Sequence, residues 1–172
     1  MRLAFLQREA GLPNKLLPFV TTLLFVVISV VPLHIPGFAV VTPSFALMAV
    51  YHWSIFRPDL LPPIAVFVAG LLLDLLNGTP YVGTSALSLL IVRSMLVSQR
   101  RLFADCAFPV LWAGFLLVAA AVVAFEWVLV SLLHAAVLGP RPFIFEAVLT
   151  VASFPVGSYL LGRTQRAFLM RV

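Results

Sequence analysis

With 172 residues, 63% of them hydrophobic and 10% charged, the chain lies far from the roughly 45–50% apolar and 25% charged composition of a soluble domain, and too few polar side chains remain for a water-facing shell. The net charge of +5 would suit a nucleic-acid binder, but the basic residues fall in short segments between apolar runs, the pattern of membrane proteins, so no nucleic-acid partner is expected. One cysteine, Cys106, excludes an intrachain disulfide and a thiolate metal pair.

Apolar runs bounded by Pro, Gly and charge predict helices over residues 17–35, 43–56, 62–76, 82–98, 107–134 and 143–161. The expected fold is an all-α integral membrane protein, a compact bundle of about six transmembrane helices in one domain over residues 1–172. Arg2, Arg8 and Lys15 precede the first run as in a signal peptide. The run is too long for a signal core, however, and Pro36 to Val41 offers no small-x-small cleavage site, so it reads as an anchor. The second and third helices, at about 15 residues, fall short of the roughly 20 that a span needs and must draw on their flanks, tilt or thin the bilayer.

The third helix ends in Gly70-Leu-Leu-Leu-Asp74-Leu-Leu-Asn77-Gly78. Gly70 and Asp74, four apart, share a face on which the glycine admits another helix and the carboxylate accepts a hydrogen bond from it. A wet carboxylate at headgroup level and an ion or proton site are the other readings. Arg93 lies about eleven residues, roughly 16 Å, into the fourth helix and can snorkel inward. With Arg100 and Arg101 it reads as a cytoplasmic-interface anchor able to meet anionic membrane lipids. Glu126 is about 28 Å along the fifth helix, which Gly139, Pro140 and Pro142 then stop. Its depth matches that of Asp74, and with Arg141 from the last outer loop the two are expected to form an outer polar layer, one cation among carboxylates. Glu146 lies beside that loop.

Charge counting orients the chain. With the N-terminus cytoplasmic and six spans, ten of the eleven Lys and Arg fall inside and only Arg141 outside, so both termini are expected in the cytoplasm. His34, His52 and His134 have no metal-ligand spacing around them. Trp53, Trp112 and Trp127, with Tyr51, Tyr81 and Tyr159, lie towards helix ends and are expected to form an interfacial belt. Ser85, Ser88 and Ser131 lack a placed base, and no phosphate loop or catalytic carboxylate pair is visible, so neither an enzyme nor a cofactor site is expected.

The run Gly70-Leu-Leu-Leu-Asp74-Leu-Leu-Asn77-Gly78-Thr-Pro80-Tyr-Val-Gly83-Thr-Ser-Ala-Leu resembles the signature of the MreD family of bacterial rod shape-determining membrane proteins. Chain length, Pro43, the Tyr51-His-Trp-Ser segment, Arg57-Pro58, Glu126, Arg141-Pro142 and Pro155 are similar to that family in outline. The resemblance implies a non-enzymatic inner-membrane component of the cell-elongation machinery. Such a component binds an MreC-like scaffold protein and, through it, connects MreB filaments with a RodA-like glycosyltransferase and its transpeptidase in peptidoglycan synthesis. The family also resembles, in fold, the substrate-binding subunits of energy-coupling-factor vitamin transporters, and a small-molecule transporter subunit is therefore the alternative. Short outer loops poor in hydrogen-bond donors favour the scaffold. A proton-coupled carrier built on Asp74 would lack relay neighbours.

Overall fold

The computed structural model describes residues 12–31, 43–78, 81–103, 108–133, 139 and 141–169, and over these the chain is all-α. Six α-helices follow one another: α1 Leu12–Ser29, α2 Phe45–Phe56, α3 Pro63–Asn77, α4 Thr84–Phe103, α5 Phe108–Leu133 and α6 Arg141–Leu169, with a 3₁₀ turn at Pro58–Leu60 between α2 and α3. Every predicted helix is present, but several ends differ. α1 opens early, with Pro13 in its first turn where a missing N–H costs nothing, and it closes at Ser29 rather than at 35. α4 continues to Phe103, since no Gly or Pro interrupts it. The largest change is in α6, which takes in Arg141 and Pro142 at its start and runs through Pro155 to Leu169.

α2 explains how so short a helix belongs here. It is apolar on all sides, the mark of a buried helix, and its residues Ala46 to Ile55 are buried without a break. All five other helices pack against it. Met48 faces Gly157 of α6, where an added methyl would meet the thioether sulfur at 2.8 Å. Around this axis the remaining helices turn apolar side chains outward: Val20, Leu24 and Val27 of α1, Ile64 of α3, Leu117 and Leu132 of α5, and Ile144 and Val148 of α6 are all exposed. In water such a surface would be untenable; against hydrocarbon it is the expected outside. Among the described residues, Phe108–Leu133 and Arg141–Gln165 are long and apolar enough to cross a membrane.

Tyr51 and Trp53 correct the aromatic belt expected from sequence. Both are buried in the core on α2, because their polar atoms find partners there: the Tyr51 hydroxyl donates to the Leu111 carbonyl at 2.9 Å and the Trp53 indole to the Thr21 hydroxyl at 3.0 Å. The Tyr51 ring meets Phe115 and Phe154 edge-on, and those two stack at 4.2 Å. Trp112 and Tyr159 are exposed.

Candidate functional site

The C-terminal end of α3 and the N-terminal end of α4 meet in a tight turn. Gly78 closes α3 in the left-handed conformation, at φ 61°, and donates its N–H to the carbonyls of Asp74 and Leu75. Asp74 is fully buried, and its carboxylate reaches across the turn to accept the Gly83 N–H at 2.7 Å, the Ser85 N–H at 3.2 Å and the Thr84 hydroxyl at 3.4 Å. The first amides of a helix have no partner within it and carry its positive end, so a carboxylate from α3 here caps α4. One turn before Asp74, Gly70 lies on Ala86: a methyl at Gly70 would fall on the Ala86 Cα and come within 2.8 Å of its nitrogen. The absent side chain at Gly70 thus sets the closeness that lets Asp74 reach α4. Pro80 of the sequence motif lies outside the described residues.

α2 begins nearby and is capped by the same device. Its Ala46 N–H donates to the Ser29 hydroxyl of α1 at 3.0 Å, and the Ser44 N–H to the Thr150 hydroxyl of α6 at 2.9 Å. Ser44 itself makes no side-chain cap. Sequence reasoning missed both partners, since nothing local distinguishes Ser29 or Thr150 from other helical hydroxyls.

Between these helix ends lies a cavity of about 290 Å³, to which all of α1, α3, α4, α5 and α6 and the start of α2 contribute. Its polar lining includes Ser29, Ser44, Asn77, Ser85, Glu126 and Glu146. Glu126 is hydrogen-bonded with Ser88 of α4 and lies within electrostatic range of both Asp74 and Glu146. Asp74 and Glu126 are therefore neighbours. Arg141, expected among them, is exposed on the first turn of α6 and does not line the cavity; Glu146, further along the same helix, points in. α6 starts at Arg141 instead of after it, so the arginine belongs to the exposed first turn of a helix rather than to a loop.

The opposite end of the bundle holds a second cavity, of about 380 Å³, walled mostly by the rings of Tyr51, His52, Phe56, Phe108, Phe154 and Tyr159. Arg93, half-buried on α4, donates from Nε to the Leu61 carbonyl at 2.8 Å and from Nη2 to the Pro58 carbonyl at 3.4 Å, tying α4 to the connection between α2 and α3. Arg100 and Arg101 belong to the last turn of α4, and their side chains lie outside the described residues. His52 contacts Gln165 of α6 at 3.1 Å. Pro155, which has no N–H to give, leaves the Val151 carbonyl free, and the Trp112 indole of α5 donates to it at 3.2 Å. At the other end of α5 the Tyr81 hydroxyl donates to the Leu133 carbonyl at 3.1 Å.

Compared with known families, the chain matches the model of the rod shape-determining protein MreD over residues 13–161. No curated protein and no solved structure gives a match. The matched stretch covers most of the chain, including the whole of the α3–α4 turn, and the chain belongs to the MreD family, a family of membrane proteins with a role in determining rod shape.

Proposed function

We propose that this member of the MreD family is a non-enzymatic scaffold of the cell-elongation machinery, spanning the bacterial inner membrane six times with both termini in the cytoplasm. In that orientation the Asp74 end of the bundle faces outward and the Arg93 end inward, in keeping with ten of eleven Lys and Arg on the inner side. Its partners are an MreC-like protein and, beyond it, a RodA-like glycosyltransferase, its transpeptidase and, indirectly, MreB filaments. The observation that carries the reading is the family match across residues 13–161. The fold agrees with it in a physical sense: the polar groups of the α3–α4 turn are spent on joining two helices, which leaves the apolar flanks of α5 and α6 for lipid and partner helices.

Replacement of the native chain by Asp74→Asn in a rod-shaped host tests this. Wider or rounded cells with unchanged solute uptake are expected; altered uptake at normal width would overturn the scaffold in favour of a transporter subunit. Co-purification supplies the second arm. An MreC-like single-span protein is the expected companion, and recovery with an ATPase pair and a coupling subunit would overturn the reading.

A further inference from the structure

We infer that the cavity at the Asp74 end is a binding site for a cationic group, an ammonium or guanidinium, received between Glu126 and Glu146. The argument starts from which charges are already answered. Asp74 is satisfied by two amides at the N-terminus of α4 and by the Thr84 hydroxyl, so its charge is compensated within the fold. Glu126 has the hydroxyl of Ser88, which is also within 2.9 Å of the Thr84 carbonyl. No Lys, Arg or His lines the cavity among the described residues, and Arg141 is exposed outside its lining. Two half-buried carboxylates that line one cavity within electrostatic range of each other repel, and a cation entering between them relieves that cost.

The space and the chemistry of the walls set the class of ligand. At roughly 30 Å³ for each water-sized group, 290 Å³ admits about ten non-hydrogen atoms. That suits a short alkyl amine or guanidine, or the end of a Lys or Arg side chain. Among the described residues no three Asp, Glu, His or Cys side chains converge as a metal would require. The hydroxyls of Ser29 and Ser85 and the amide of Asn77 can accept further N–H groups, as a forked guanidinium or an ammonium would supply. The recipient chemistry is the same whether the cation is a free amine or a basic side chain of a protein partner. The inference stands apart from the scaffold reading: cell width tests that one, and occupancy of the cavity tests this one.

The test uses the purified full-length chain in nanodiscs, with agmatine as the cationic probe and n-butylurea as its neutral counterpart. Binding to the folded state raises the unfolding temperature with ligand concentration. A dose-dependent rise with agmatine, absent with n-butylurea and absent from the Glu126→Gln/Glu146→Gln double variant, establishes the site for a free amine. The comparison of two probes on the native sequence needs no variant to fold. A photocrosslinking residue at Phe143, beside the cavity, is introduced in cells in parallel. Capture of a segment whose Lys or Arg is required for crosslinking, lost in the Glu-to-Gln double variant, assigns the cation to a protein partner. The proposal is overturned if agmatine gives no shift and no such basic segment is captured, or if either signal survives the double variant.

Discussion

The two ends of this bundle solve one problem in the same way and then part. Backbone groups at helix ends and breaks have no partner within their own helix, and in an apolar surrounding each must find one elsewhere. At the Arg93 end the Arg93 guanidinium holds the Leu61 and Pro58 carbonyls, Trp112 answers the carbonyl that Pro155 frees, and the cavity of about 380 Å³ beside Tyr51, Phe56 and Phe154 has no carboxylate in its lining among the described residues. At the Asp74 end the caps are equally complete, with Asp74 on α4 and Ser29 and Thr150 on α2, but two further carboxylates face the space that is left. Polar side chains that complete a helix end belong to folding, whereas polar side chains left beside a void have no such use. The contrast separates Asp74 from Glu126 and Glu146, three acids that composition alone would treat alike.

This division can be broken by substitution. The largest effect is expected from Gly70→Leu, which drives a side chain into the Ala86 backbone and separates α3 from α4, at a cost of about 3 kcal/mol or more. Loss of folded protein from the membrane and a lowered unfolding temperature measure it; a tolerated leucine would refute the close approach. Asp74→Ala, which strands the part-buried amides of Gly83 and Ser85 at the start of α4, should cost about 2 kcal/mol, and Asp74→Asn, which keeps one acceptor, about half of that. Arg93→Leu removes the charged tie to the α2–α3 connection and is expected to lower stability by about 1.5 kcal/mol, most visibly as faster hydrogen exchange around residues 57–62. Trp112→Phe, at an exposed position, should cost only about 0.5 kcal/mol by chemical denaturation. Glu146→Gln is expected to leave stability unchanged or slightly raised, within about 0.5 kcal/mol, because it removes repulsion and no cap. A large loss at Glu146 would erase the distinction between the acids.

Much of the helical content was legible in the sequence, because long apolar runs between Pro, Gly and charge leave the backbone few alternatives in lipid. The ends were less so. Arg141-Pro142 reads as a helix stop, yet proline is tolerated in the first turn of a helix, and α6 begins there. The predicted helix already ran through Pro155, but the sequence does not show that Trp112, more than 40 positions earlier, answers the carbonyl that the proline leaves without a donor. Tyr51 and Trp53 carry polar atoms that suit an interface, and only the positions of Leu111 and Thr21 make the core acceptable to them.

At the candidate site the four-residue spacing of Gly70 and Asp74 already placed a gap and a carboxylate on one face, and the match in depth brought Asp74 and Glu126 to one level. Which helix met that face was not written there, nor that Glu146 would occupy the position expected of Arg141. By itself the sequence determined that this chain is helical, lives among apolar surroundings and carries its unusual residues near helix ends, since composition, period and charge placement are properties of short segments. Only the tertiary structure decided which of those residues are consumed in holding helices together and which are left facing a cavity. That outcome depends on the angular position and closeness of helices distant in the chain, quantities that a glycine against an alanine backbone, rather than any local pattern, sets.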